Sequence, residues 1–202
     1  MATGNAGKRA EFERLLRRAP VRVLDLSVAG ETYVSPPEDG DTYAANARLK
    51  ARAAAAATGR VALADDSGLE VEALGGRPGV HSARFGGEGL DDAGRVRLLL
   101  AELAEIVAAR RQATFVCRLC LAVPDGTILA EVEARLGGRI AAQPRGRRGF
   151  GYDPVFEVPA LRATMAELSG AAKDGISHRG RATALLVPTL ARLAVDFRPV
   201  RP

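Results

Sequence analysis

Five short polar clusters carry most of the chemistry this chain can do. They are Thr3-Gly4-Asn5-Ala6-Gly7-Lys8, Ala64-Asp65-Asp66-Ser67-Gly68, Phe150-Gly151-Tyr152-Asp153-Pro154, the single Lys173, and Ser177-His178-Arg179-Gly180. The first stands ahead of a helical pattern, where unpaired backbone N–H groups, the helix dipole and a lysine all favour an anion. It is not a P-loop, because the glycines are too close together and Arg9 replaces the hydroxyl residue. Adjacent carboxylates at Asp65 and Asp66 repel unless they share a cation or a proton. Magnesium takes such oxygens together with waters, and a carboxylate not fully committed to metal can accept a proton from an attacking water. Phe150 and Tyr152 offer ring faces to a base, and His178 with Arg179 offers donors suited to purine carbonyl oxygens. Taken singly, each cluster also reads as plain structure: a glycine turn, an Asp-Ser-Gly turn, two core aromatics and a surface histidine. Taken together they supply what hydrolysis of a nucleoside triphosphate requires.

The elements that must position these groups follow from periodicity. Phe12, Leu15, Leu16 and Ala19 recur at helical spacing and Pro20 closes the segment, so a loop through Gly7-Lys8 feeds a helix. Val21 to Leu26 reads as a short strand, and Ser35 to Gly40 as a loop. Asp41 or Thr42 caps an Ala-rich helix that runs through Ala57 and ends at Gly59. The apolar run Val61 to Ala64 stops at Asp65-Asp66, placing the carboxylates at the mouth of a strand, where α/β proteins hold ligands. Glycines make 75–89 irregular, and a helix spans 91–109. Residues 113–123 and 127–136 alternate and are joined by Pro124-Asp125-Gly126, an antiparallel hairpin. A Gly- and Arg-rich loop occupies 143–153, a short helix 164–172, and a last helix 179–195, bent or interrupted at Pro188. The expected class is α/β: a mixed, twisted sheet with flanking helices.

Composition narrows the field without deciding it. The chain has 202 residues, 47% hydrophobic and 26% charged, enough for one substantial domain or two lobes sharing a cleft. A net charge of +5 suits anionic partners, whether a triphosphate or RNA. No stretch reaches the roughly 18 uninterrupted apolar residues of a membrane span, and no secretory pattern opens the chain, so a cytoplasmic location is expected. Cys117 and Cys120 have C-x-x-C spacing but sit in a strand, where residues three apart point to opposite faces; they read as structural.

In order along the chain, Thr3-Gly-Asn-x-x-Lys8, Ala64-Asp-Asp-Ser-Gly-Leu69, Leu74-Gly-Gly-x-Pro-Gly79, Ser82-Ala-Arg-Phe85, Phe150-Gly-Tyr-Asp-Pro154 and Ser177-His-Arg-Gly180 together resemble the Ham1/RdgB family. These are the inosine/xanthosine triphosphate pyrophosphatases, and the likeness spans nearly the whole chain. It implies hydrolysis of XTP, ITP and dITP to the monophosphate and pyrophosphate, with Mg2+, by a homodimer whose site lies in a cleft between two lobes. It implies no nucleic-acid or membrane partner. Residue by residue, it gives substrate phosphates to Thr3, Gly4, Asn5, Ala6, Gly7 and Lys8, with Lys50 as a second phosphate contact. Asp66 becomes the proton acceptor and a metal ligand, alongside Asp65 and Glu38. Ser67, Phe150, Gly151, Tyr152, Asp153, Lys173, His178 and Arg179 bind the nucleotide, the last two at the base. Relatives usually carry an apolar strand ahead of Thr-Gly-Asn, where this sequence has Met1-Ala2; that strand is either shortened or continued upstream. Arg147 and Arg148 add charge where glycine is commoner, serving the triphosphate or facing solvent. Two competing functions remain at this stage: a non-catalytic nucleotide- or RNA-binding module, and a pyrophosphatase preferring modified pyrimidines.

Overall fold

Asn5 begins the regular structure, because its side-chain oxygen accepts the Lys8 backbone N–H at 2.9 Å and so caps helix α1 (Ala6–Leu15). Gly7 and Lys8 therefore already belong to the first helical turn, and the entry loop is only Thr3 to Asn5. The structure is a computed structural model that describes residues 1–24, 26, 33–87 and 89–196. Thr42 caps α2 (Tyr43–Thr58), accepting from the Ala45 N–H at 3.1 Å, and Gly59 closes it in the left-handed conformation. The strands are β1 (Ala62–Val71), β2 (Pro78–Gly79), β3 (Gln112–Ala122), β4 (Ile128–Ile140), β5 (Phe156–Val158) and β6 (Ala163–Thr164). The remaining helices are α3 (Asp92–Glu102), α4 (Gly170–Ile176) and α5 (His178–Asp196).

The strands form one sheet in the order β2-β1-β3-β4-β5-β6. β2 pairs antiparallel with β1, β5 with β4, and β6 with β5, while Ala2 adds a parallel bridge to Ala64. The mixed α/β expectation holds. Arg139 lies directly opposite Glu157 in the β4–β5 register, and the two form an ion pair across the strands.

Two compact units divide the chain: residues 1–66, 118–134 and 179–202, and residues 67–117 and 135–178. Inside the first, Ala47, Ala51, Ala54 and Ala55 of α2 pack with Ala2, Ala62, Ala64, Cys120 and Ala122. They form the apolar stripe of an amphipathic helix, and alanine lets backbone approach backbone. Inside the second, Leu69, Leu99, Leu136, Val155, Phe156 and Met165 anchor a larger apolar cluster. Both cysteines are free and buried, and burial pushes the Cys120 thiol up to about 11; they are packing residues, as the strand pattern implies. Among the described residues no helix is long and apolar enough to cross a membrane.

Several elements depart from the pattern reading. β1 does not stop at Asp65; it runs on to Val71, so Asp65 and Asp66 lie inside a strand rather than at its mouth or in a turn. The residue pattern misleads there because two carboxylates look like a terminator until their cationic partners are known. α3 ends at Glu102, short of residue 109, and a single 3-10 turn covers Ala108–Arg110. The helix expected over 164–172 begins only at Gly170: the Thr164 N–H donates to Glu167 and the Met165 N–H to Phe156, and Ser169 then caps α4. β4 extends to Ile140, past residue 136. The residues described within the expected strand Val21 to Leu26 form none, and Asp25 lies outside the described residues. α5 continues through Pro188 without interruption.

Candidate active site

Neighbouring residues on a strand point to opposite faces, and β1 uses this to give its two aspartates different surroundings. Asp65 meets Lys8 Nζ of α1 at 2.9 Å and Arg179 Nε of α5 at 3.6 Å. Asp66 accepts from Lys50 Nζ of α2 at 2.9 Å and from Asn46 Nδ2 at 3.2 Å. Lys50 is the residue i+4 from Asn46, so both reach the strand from one helix face. Lys50 Nζ also donates to Glu38 Oε1 at 2.7 Å, so one ammonium joins two carboxylates.

Burial and neighbouring charge push the two carboxyls in opposite directions. At Asp65 burial opposes ionisation, but Lys8, Arg179 and Lys50 outweigh it and hold the carboxyl well below the usual carboxylate range. At Asp66 burial dominates and pushes the carboxyl up; Lys50 and Lys8 offset this only in part, and Glu38 adds to it. Two adjacent carboxyls with opposite proton affinities are a recognised signature of separate duties: one fixed anion, one proton acceptor. Burial works against the Lys50 ammonium, yet Asp65, Asp66 and Glu38 together raise its pKa, so it stays charged.

The sequence pattern assigned no role to Asn46, Gly40 or Glu11. Asn46 is fully buried and ties Asp66 to the loop before α2, donating to the Gly40 carbonyl at 3.3 Å and accepting the Gly40 N–H at 2.9 Å. A Cβ at Gly40 would stand 2.7 Å from Asn46 Oδ1, so only glycine fits beside that amide. Glu11, buried on α1, accepts from Arg179 Nη1 at 3.1 Å. The available signal was positional: Asn46 precedes Lys50 by one helical turn, and Glu11 follows Lys8 by three residues.

The phosphate-loop candidates stand at the N-terminal end of α1. Gly4, Asn5 and Ala6 are exposed and Thr3, Gly7 and Lys8 half-buried, at the end of α1 where helix geometry leaves amides without intrahelical acceptors. Magnesium ligation by Glu38 and Asp66 suits the donor set, since both offer hard carboxylate oxygen and both already converge on one cationic atom. Among the described residues no group of three or more His, Cys, Asp or Glu side chains is arranged to hold a metal. The balance of a coordination shell would therefore come from water and a ligand's phosphates. Asp65 fits less well, being engaged by Lys8 and Arg179.

Three nucleotide-binding candidates of the second unit, Phe150, Asp153 and Lys173, form their own cluster. Asp153 accepts the Phe150 N–H at 2.9 Å and pairs with buried Lys173, whose ammonium also lies 5.1 Å from the Phe150 ring centroid, a cation–π distance. Gly149, with φ +77°, passes so close to the Asp153 carboxylate that a side chain there would collide. Tyr152 is buried, its hydroxyl donating to the Ser82 carbonyl at 2.9 Å, while Phe150 and Gly151 are half-buried and Ser67 sits half-buried on β1. His178 is buried and stacks on Phe115 at 4.7 Å and 13°. Arg147 and Arg148 are exposed, and Arg148 donates to the Glu167 carbonyl at 3.1 Å.

A model of the Ham1 family matches residues 1–189. The chain belongs to the Ham1 family. Among Ham1 relatives, it is 49% identical over 193 residues to a protein of Parasynechococcus marenigrum named dITP/XTP pyrophosphatase, covering 96% of this chain and 94% of that one. It is 48% identical over 196 residues to a Mycobacterium tuberculosis protein of the same name, covering 96% and 95%. The solved Ham1 protein of Coxiella burnetii superposes with a TM-score of 0.83 at 39% identity, over 95% of this chain and 96% of that one. A Mycobacterium abscessus structure described as a nucleoside-triphosphatase and dITP/XTP pyrophosphatase gives a TM-score of 0.72 at 44% identity, over 94% and 97%.

Proposed function

We propose that this Ham1-family chain hydrolyses the non-canonical purine nucleoside triphosphates XTP, ITP and dITP to the monophosphate and pyrophosphate, clearing them from the nucleotide pool. The observation that carries the reading is the split pair on β1: Asp66, between Lys50 and Asn46, beside Asp65, between Lys8 and Arg179. Relatives named dITP/XTP pyrophosphatase, matched over nearly their whole length, support it.

In this reading water attacks the α-phosphorus, the bond from that phosphorus to the bridging oxygen breaks, and pyrophosphate leaves. Asp66 accepts the proton the water gives up, a role suited to a carboxyl whose proton affinity burial has increased. Asp65 stays ionised and holds the Lys8 ammonium beside β1, where it and the amides of the α1 entry loop receive phosphate oxygens. Lys50 supplies a second positive charge to the phosphates. Glu38 and Asp66 would hold Mg2+, which when bound neutralises phosphate charge and favours the leaving group. A donor at the base end, assigned to His178, favours a 6-oxo purine over adenine, whose amino group cannot accept from it; Arg179, expected there too, is engaged by Asp65 and Glu11. The working form in this reading is a cytoplasmic homodimer, which sedimentation of the purified protein checks.

The decisive assay is pyrophosphate release from ITP, XTP, dITP, GTP, ATP and modified pyrimidine triphosphates, each with and without magnesium. Magnesium-dependent release from the first three supports the reading. Release confined to the pyrimidines, or absent throughout, refutes it.

A further inference from the structure

The carboxylate pair given to magnesium is already served by a cation of the protein's own. Lys50 Nζ stands 2.7 Å from Glu38 Oε1 and 2.9 Å from Asp66 Oδ1, and the lysine side chain is only 7% exposed. Asp66 is not placed to turn away, while Glu38 is about a third exposed. Asp66 has its other oxygen fixed by fully buried Asn46, which the Gly40 backbone holds in turn. The neighbouring acid, Asp65, is engaged by Lys8 and Arg179 and offers Lys50 no closer alternative. The movable part of the cluster is the lysine, a compact charge on a four-carbon stem.

We infer that Lys50 is a resident counter-ion that competes with the divalent metal for Glu38 and Asp66, so the metal enters by displacing its ammonium. A divalent ion that demands oxygen ligands in near-octahedral order cannot share those oxygens with an ammonium at hydrogen-bond distance. While the lysine is seated, its single charge offsets one of the two carboxylate charges and holds the pair together without metal. Once displaced, the same ammonium becomes available to a phosphate. Lys50 is thus a positioning residue for the metal site as well as a phosphate contact, and the inference rests on the magnesium reading given above.

Manganese alone, without nucleotide, is the probe, with free ion counted by electron paramagnetic resonance. The proteins are wild type, Lys50→Met, Lys8→Met, Glu38→Gln and the double variant Lys50→Met/Glu38→Gln. Lys8→Met removes the same charge from the Asp65 side and controls for general electrostatics. Lys50→Met is expected to bind manganese at least tenfold more tightly than wild type, Lys8→Met less than threefold more tightly, and the double variant to lose the gain. Equal gains in Lys50→Met and Lys8→Met, with Glu38→Gln still weakening binding, overturn the competition while leaving the carboxylate site intact. If Glu38→Gln changes binding in neither background, the carboxylates are not the metal's seat, and the magnesium reading falls with the inference. Circular dichroism confirms that each variant is folded, and Lys50→Gln replaces Lys50→Met should the latter fail that check.

Discussion

Asp66→Asn and Asp65→Asn change one atom each at adjacent positions, yet the structure assigns them different consequences. Asp66 offers Oδ1 to Lys50 and Oδ2 to Asn46, both donors. An amide accepts through one atom only, so the substitution sets an N–H against one of those donors and removes the proton acceptor. Loss of a general base costs about 10²–10⁴ in rate, or roughly 3–5 kcal/mol of barrier at 1.36 kcal/mol per tenfold. Breaking a buried ion pair costs about 3–5 kcal/mol when it strands a charge. Lys50 keeps Glu38, so the stability loss falls below that range, and at about 2–4 °C per kcal/mol the melting temperature drops by less than roughly 12 °C. Pyrophosphate release from ITP at saturation, with nucleotide affinity by calorimetry, is the assay: turnover falls at least about a hundredfold while affinity stays within about tenfold. Asp65→Asn instead leaves Lys8 unaimed and Arg179 with Glu11 alone, so its main losses are in KM and stability. Near-normal turnover by Asp66→Asn, or identical profiles for the two variants, would refute the division of duties.

Asn46→Ala removes a buried donor to a carboxylate and unpairs the Gly40 N–H; a stability loss of about 1.5–3 kcal/mol by chemical denaturation and a kcat effect larger than the KM effect are expected. Asp66 has its pKa raised above 3.8, so it stops accepting protons as pH falls through that raised value: the acid limb of kcat/KM lies above pH 3.8. Asp65 has its pKa lowered, so the stability it contributes is present above the unfolded value, about 3.9, and is lost as pH falls toward the folded one; Asp65→Asn flattens acid denaturation there. His178→Ala should narrow the ratio of ITP to ATP turnover, and an unchanged ratio removes the base-reading role. Cys117 and Cys120, both buried, should resist an aromatic disulfide reagent until the protein is unfolded, as counted by absorbance.

The legible parts of this fold were those written in local sequence. Thr42 as a cap, Gly59 as a terminator, the hairpin around Pro124-Asp125-Gly126 and the Ala-rich face of α2 follow from propensity and period. The illegible parts depended on partners far along the chain. Asp65 and Asp66 read as the end of a strand because nothing nearby neutralises them; their cations come from Lys8, Lys50 and Arg179. Residues 164–172 read as helical because the backbone bonds of Thr164 and Met165 to Glu167 and Phe156 leave no mark on periodicity. The motifs mark the charged groups that the fold gathers around β1, whereas Asn46, Gly40 and Glu11, which hold those groups, belong to no motif.

Because the two acids are consecutive, their assignments hang on the phase of a single extended segment. A one-residue insertion between Ala62 and Asp65 would bring Asp65 to the place facing Lys50 and Ala64 to the place facing Lys8, and a deletion would bring Asp66 to face Lys8 and Ser67 to face Lys50. Such an indel leaves composition and motif almost untouched, yet in either direction one lysine loses the carboxylate it faces. The length of that short lead-in is therefore as much a part of the chemistry as the acids themselves.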